Sequence, residues 1–356
     1  MSYTNGLDKP SDYFNTVLYT GDGNNSRAVT GTGFQADWVW LKDRGTKGGS
    51  INYHHQTWDS VRGASDGTLY TSLTNAVDTN YPLTSFDSNG ITLRPTSHNS
   101  QNETGEQYVL WNWLAGGTAS SNTDGSITSN VSANTTSGFS IVSYTGNSTS
   151  GATVGHGLGS APSMIIFKDR DTASNWQTGH ASLGWTKTVY LNLTNASNTD
   201  ISYFNDTAPT SSVFTLGNNV MSNSNTKNYI AYCFAEKQGF SKFGSYTGNG
   251  SADGTFVYTG FKPAWVMFKR TDGAYNWVIM DNKRDNFNVA TKLLLPNSSS
   301  AEIGLPTNLS TDFLSNGFKL RSDSSANPST NQGNIIYMAF AENPFTTSTG
   351  VPATAR

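Results

Sequence analysis

The run Tyr53-His54-His55-Gln56-Thr57-Trp58-Asp59 gathers the strongest acid–base and metal-ligand side chains in this sequence. Adjacent histidines on an extended strand point to opposite faces, so the two cannot share one metal or one substrate. No second ligand group stands at useful spacing. Glycoside hydrolysis needs a pair of carboxylates, one with a raised pKa. The chain has five glutamates, Glu103, Glu106, Glu236, Glu302 and Glu342. Glu236 and Glu342 close two copies of a Phe-Ala-Glu phrase, which favours a structural role, and Glu103 and Glu106 fall in a polar loop. A nucleophile elbow needs a strand that runs into a helix, and nothing here supplies the helix. Glycine clusters such as Gly21-Asp22-Gly23-Asn24-Asn25 lack the lysine and helix start of a phosphate loop and read as turns. Loop oxygens near Asp22 or Asp253 are of the type that builds a calcium site. No other cofactor is expected and no catalytic residue is assigned.

Aromatic side chains offer recognition rather than catalysis. Trp58 and Trp185 stand in less regular stretches with a cation close by, Arg62 and Lys187 respectively. An exposed indole beside hydrogen-bonding groups grips a sugar by stacking on its C–H face while the polar groups fix the hydroxyls. Trp58, Arg62, Trp185 and Lys187 are therefore the expected ligand-binding residues. The competing reading is that both tryptophans fill gaps between strands and loops.

The elements that would carry these groups are written three times. Tyr19-Thr20-Gly21, Tyr144-Thr145-Gly146 and Tyr246-Thr247-Gly248 each open a unit. Each precedes an apolar run ending in lysine: Trp38-Val39-Trp40-Leu41-Lys42, Met164-Ile165-Ile166-Phe167-Lys168 and Trp265-Val266-Met267-Phe268-Lys269. From Tyr19 to Lys42 is 23 residues, from Tyr144 to Lys168 24, and from Tyr246 to Lys269 23. Further shared phrases follow in the same order, ending in Tyr108 to Trp113, Tyr229 to Phe234 and Ile335 to Phe340. Nearly constant offsets between strand-like phrases mean one piece of sheet built three times. The recurring pairs Asn52-Tyr53, Asn175-Trp176 and Asn276-Trp277 read as packing. Lys42, Lys168 and Lys269 read as solvated charges at strand ends that discourage edge-to-edge pairing.

No window holds apolar spacing at i, i+3, i+4, i+7. The apolar runs are short, rich in Val, Ile, Phe, Tyr and Trp, and bounded by Gly, Asn, Asp and Pro. Several are continuous rather than alternating, which implies strands covered on both faces. The reading is all-β: three tandem antiparallel β-sandwich, or jelly-roll, modules. The expected organisation is a lead-in segment 1–16, repeats at 17–117, 138–244 and 245–345, a polar bridge 118–137 and a polar tail 346–356. Tyr13-Phe14 could pin the lead-in to the first repeat or to a neighbouring chain. Phe240 and Phe243 are expected to pack between the second and third repeats.

The chain's 356 residues exceed the roughly 250–300 that one core sustains. Lys and Arg number 22 against 25 Asp and Glu, a net charge of −3. Without a Lys/Arg cluster, the footprint of a nucleic-acid binder is missing. No apolar run approaches the roughly 20 residues that span a bilayer, so membrane insertion is not expected. The single cysteine, Cys233, cannot form an intrachain disulfide and reads as a small buried hydrophobe. No secretory signal opens the sequence.

Several phrases resemble a repeat family of marine bacteriophages. They are Met1 to Phe14, Trp58-Asp59-Ser60-Val61-Arg62-Gly63, Ala161-Pro162-Ser163-Met164-Ile165-Ile166, Phe234-Ala235-Glu236, Phe240 to Gly248 and Asn334 to Phe345. That family is found in structural and tail-fibre-like phage proteins and is similar to concanavalin A-like jelly rolls. The resemblance covers nearly the whole chain and brings no defined site residues. It implies a non-enzymatic virion protein, assembled in the host cytoplasm, released by lysis and in contact with other virion proteins. The leading expectation is a tail fibre or adhesin that binds a host surface glycan. The alternatives are a capsid decoration or head-fibre protein, and a polysaccharide-degrading tailspike. A homotrimer is expected because such fibres are usually trimers and the aromatic N-terminal segment could seat into a partner.

Overall fold

The computed structural model describes residues 7–45, 47, 52–304, 310–321 and 330–354. Its regular structure is antiparallel strand with a few one-turn helices. Twelve strands form the framework. They are β1 (Phe14–Thr20), β2 (Trp38–Asp43), β3 (Gln56–Asp59), β4 (Gln107–Trp113), β5 (Phe139–Thr145), β6 (Met164–Asp169), β7 (Gln177–His180), β8 (Asn228–Phe234), β9 (Ser241–Asn249), β10 (Phe261–Arg270), β11 (Trp277–Asp281) and β12 (Gln332–Pro344). The strand order is β1-β4-β2-β3, then β5-β8-β6-β7, then β9-β12-β10-β11, the same order each time. The register repeats too: Trp40 pairs with Trp111, Ile166 with Tyr232 and Met267 with Met338. Each main sheet carries a smaller antiparallel sheet from its own repeat, such as Ala28–Thr30 with Gly90–Thr92. The fold is an all-β sandwich assembly.

The continuous apolar runs explain the arrangement. Side chains alternate faces along a strand, and β2 is buried along its whole length. Val39 and Leu41 enter a core closed by the first repeat's own small sheet, while Trp38 and Trp40 enter a different one. In β6, Ile165 and Phe167 face their own repeat's core, whereas Met164 and Ile166 join Trp38 and Trp40. In β10, Val266 and Phe268 face inward, and Trp265 and Met267 join the same shared core. Three main sheets thus turn one face each to a common aromatic centre. The Trp38 ring stacks on Tyr232 at 4.4 Å, and Trp113 meets Trp265 edge-on at 5.8 Å.

Backbone bonds close these contacts into a ring. Val77 N–H donates to Arg170 O at 3.0 Å, Ser197 N–H to Thr271 O at 2.9 Å, and Glu302 N–H to Arg44 O at 2.8 Å. The three ties join the first repeat to the second, the second to the third, and the third back to the first. The tryptophans that follow the lysines lie on the same seams. Trp176 Nε1 donates to Tyr70 O and Trp277 Nε1 to Tyr190 O, both at 2.8 Å. His55 stands at the equivalent place in the first repeat, buried beside the Leu295 backbone and accepting from Trp40 Nε1 at 2.9 Å.

Some expectations change. Lys42, Lys168 and Lys269 are not solvated: all three are buried, because the neighbouring repeat caps the end of each strand. Lys168 Nζ donates to the carbonyls of Thr74, Asp169 and Ser174, one acceptor for each ammonium proton. Lys269 Nζ donates to Thr194 O and Tyr275 O. Lys42 instead turns to its own Asp43, at 2.5 Å. The polar bridge 118–137 contains sheet: Ser120–Asn122 and Ser129–Asn134 form a hairpin around Asp124-Gly125 that extends β5. Tyr13 and Phe14 seat inside the chain, on Phe240 at 5.9 Å and on Phe340 at 5.0 Å. These two aromatic residues of the lead-in thus have their socket within the chain, while residues 1–6 lie outside the described residues. Phe240 and Phe243 are buried in the shared core, where Phe243 meets Phe234 of the second repeat and both meet Phe340 of the third, and Cys233 is fully buried.

Candidate binding cleft between the second and third repeats

The three seams are built from equivalent positions, and two are sealed by charge. Between the third and first repeats, Arg44 grips the Glu302 carboxylate with Nε at 2.9 Å and Nη2 at 2.7 Å. Arg284 donates to the same carboxylate at 3.1 Å. Between the first and second repeats, Arg170 and Arg62 hold the Asp66 carboxylate from two sides, at 3.1 and 3.3 Å. Arg62 and Arg284 are themselves fixed three residues after an aspartate, Asp59 and Asp281, each at 2.6 Å. Burial pulls each guanidinium down, but the adjacent carboxylates outweigh it and both end above their ordinary range. A carboxylate between two arginines is thus the plug of both seams, and the geometry suits the guanidinium fork.

The third seam lacks every part of that plug. β7 ends at His180 where β3 and β11 end at Asp59 and Asp281, since these residues pair with Met164, Trp38 and Trp265. Three residues on stands Leu183 rather than arginine. Across the seam Thr271 replaces Arg44 and Arg170, and Ser197 stands in the place of Glu302. The loss tracks its neighbour. Asp59 accepts from Tyr232 Oη at 2.8 Å and Asp281 from Trp111 Nε1 at 3.1 Å, both across a seam. The matching residue of the third repeat is Met338, which has no donor to offer. His180 turns to the Tyr337 carbonyl instead, at 3.2 Å. Burial holds its imidazole down at about 4, so it is neutral.

Smaller side chains leave a cleft of about 520 Å3 at this seam. Leu183, Ser197 and Thr271, the residues at the missing plug positions, are all on its walls. Asn334 N–H donates to Asp272 at 3.0 Å, and Arg270 Nε ties the same carboxylate at 2.6 Å. Burial pushes the Asp272 carboxyl up, but those two donors outweigh it and the net direction is down. Asn334 Oδ1 accepts from Thr247 Oγ1 at 3.3 Å, which aims its amide nitrogen away from that hydroxyl. Lys187, half-buried on the opposite wall, makes no ion pair among the described residues. The cleft therefore carries a compensated Arg270–Asp272 pair, several hydroxyls, one amide and one uncompensated ammonium.

Of the expected ligand-binding residues, only Lys187 lies on this cleft. Trp58 is fully buried, with Nε1 donating to Tyr81 O at 3.0 Å. Its ring fills the first repeat's own core, so no sugar can reach its face. Arg62 is buried in the plug on Asp59 and Asp66. Trp185 is 9% exposed and lies edge-on to Phe204 at 5.2 Å. It fills the space that Gly179 leaves at the position of Trp58: a Cβ on Gly179 would stand 2.6 Å from both rings. The gap-filling reading of the two tryptophans is the one the packing bears out.

The calcium expectation meets loops whose carboxylates already have protein donors. Asp22 accepts from Asn24 N–H and Asn102 Nδ2, and Asp253 pairs with Lys319 and Arg321. No cluster of three or more His, Cys, Asp or Glu stands together among the described residues. His54 meets Ser72 Oγ at 2.9 Å in a shallower hollow of about 250 Å3 lined by Tyr53, Tyr81 and His98. Sequence reasoning missed Leu183, Ser197, Thr271, Asp272 and Asn334. Their signal is a broken repeat: Lys42-Asp43-Arg44 and Lys168-Asp169-Arg170 become Lys269-Arg270-Thr271.

A family model described as a domain of unknown function (DUF7483) matches residues 9–344. No curated protein and no solved structure matches the chain.

Proposed function

We propose that this chain, which belongs to the DUF7483 family, is a non-catalytic recognition module of a bacteriophage virion. In this reading it is part of a tail fibre or adhesin and presents the cleft between its second and third repeats to the host cell surface. One observation carries it. A ring of three equivalent seams is sealed by buried charge at two of them and left open, polar and solvent-accessible at the third. Repeated sandwiches tied through a shared core make a rigid platform, and departure from the repeat falls where a ligand would enter. A concave site with a few convergent polar groups is the usual form of a binding site.

The chemistry of the cleft supports binding over bond cleavage. A glycosidase places two carboxylates about the scissile bond. Among the described residues this cleft is lined by one, Asp272, already held by Arg270. The glutamates have structural partners: Glu103 pairs with Lys47, Glu236 with Lys242, Glu302 with Arg44, and Glu342 with Lys262.

The test is competition for adsorption. Purified protein added to host cells should occupy the receptor and slow adsorption of the phage in a dose-dependent way. The same protein incubated with host surface polysaccharide should release no new reducing ends. Unchanged adsorption at saturating protein, or release of reducing ends, would overturn the reading.

A further inference from the structure

The two sealed seams show what the open one is shaped to receive. At each sealed seam a carboxylate sits between cationic side chains from adjoining repeats, Glu302 between Arg44 and Arg284, and Asp66 between Arg170 and Arg62. At the open seam both arginine positions and the Glu302 position hold short or apolar residues, and all three line the void. A cation is nevertheless present. Lys187 lines this cleft and has no carboxylate partner among the described residues, while the Arg270–Asp272 pair cancels itself. We infer that the cleft binds an acidic saccharide, with the sugar carboxylate taken by Lys187 in the role that Glu302 and Asp66 play toward arginine elsewhere. The inference rests on the reading of this cleft as a recognition site and adds the class of ligand.

The rest of the wall fits a sugar better than an acidic peptide. Ser197, Ser245, Thr247 and Thr271 offer hydroxyls that both donate and accept, and Asn334 an amide. This matches the mixed donors and acceptors of a pyranose edge. Leu183 gives the C–H face of a ring an apolar floor. The walls come from two repeats that the shared core holds together, so little order has to be gained on binding, which favours affinity.

The test is titration calorimetry on the whole chain, with uronate trisaccharides and neutral trisaccharides of the same linkage as probes, and a short Glu-containing peptide as the alternative. The uronate sugars should bind, and the neutral ones roughly tenfold or more weakly, as expected on losing a charge-assisted hydrogen bond. Lys187→Gln should lower uronate affinity to the neutral level, Lys187→Arg should keep it, and added salt should weaken it. The triple variant Leu183→Arg, Ser197→Glu, Thr271→Arg would install the Arg284–Glu302–Arg44 plug of the seam between the third and first repeats and should abolish binding. Lys187→Gln changes a half-buried cation with no ion-pair partner among the described residues, so it tests the idea even if the triple variant fails to fold. Equal binding of uronate and neutral sugars that is lost on plugging would sink the acidic-sugar inference and leave the recognition reading standing. Binding of the peptide alone, or no uronate binding at all, would also overturn it, while the adsorption assay reports separately on the function.

Discussion

Arg44 and Glu302 stand 258 residues apart in sequence and meet through two parallel hydrogen bonds at 2.9 and 2.7 Å. The pair joins the first repeat to the third, and both side chains are 8% exposed. It closes as a ring what the sequence presents as a row. Charges out of water are costly unless each is matched, and here Arg44 and Arg284 share one carboxylate.

Glu302→Ala should therefore destabilise the whole molecule, because it leaves the Arg44 guanidinium without its carboxylate at a buried seam and takes from Arg284 one of its two. The expected loss is about 3 kcal/mol, the lower part of the range for breaking a buried pair. Urea denaturation would read it as a lower midpoint with an unchanged slope. A loss below about 0.5 kcal/mol, typical of exposed pairs, would show that the seam does not depend on this plug.

The shared core predicts cooperativity. Trp38 and Trp265 bury their rings against the other repeats as well as their own. Trp265→Ala should cost about 3–5 kcal/mol, and calorimetry should show one transition rather than three. A fragment of residues 138–244 alone should be unstable, since Ile166, Tyr232 and Phe234 would face water. Independent folding of that fragment, with a sharp thermal transition, would contradict the role assigned to the common centre.

Stability should rise between about pH 7 and pH 10. Burial pulls Lys269 down to about 7 and Lys168 down to about 8, the latter partly offset by Asp169. Between those values and the ordinary lysine range near 10.5, the unfolded chain holds more protons than the native one. Linkage then makes unfolding harder as pH rises, by at most about 1.4 kcal/mol per pH unit for each lysine. Above about pH 10 the sign reverses. Burial holds Tyr144 and Tyr246 above their ordinary range, so the unfolded chain loses protons first. Denaturation midpoints across this range would check both limbs. Lys269→Met should flatten the lower limb, and an equally steep limb in that variant would refute the assignment.

Gly179 and Trp185 form one packing unit. Gly179→Val should destabilise by about 1–3 kcal/mol through overpacking. Combining it with Trp185→Leu should recover part of that loss, a coupling that a double-mutant cycle measures. Strict additivity would show that Trp185 does not fill the space above Gly179.

The apolar runs ending at Lys42, Lys168 and Lys269 made the fold class legible, because side-chain alternation along a strand is a local property. Their nearly constant spacing from Tyr19, Tyr144 and Tyr246 made the repetition legible for the same reason. The candidate site was legible only in Lys187. Its other walls, Leu183 and Thr271, are ordinary residues by type, and their meaning lies in being where the other seams hold arginine. The sequence alone determined that each central strand would need cover on both faces. Tertiary structure decided that the second cover is the other two repeats, which buries Lys168, Lys269 and Trp38 and leaves one seam open. That choice rests on contacts between residues far apart in the chain, and no local pattern of residue types encodes which distant surface will meet which.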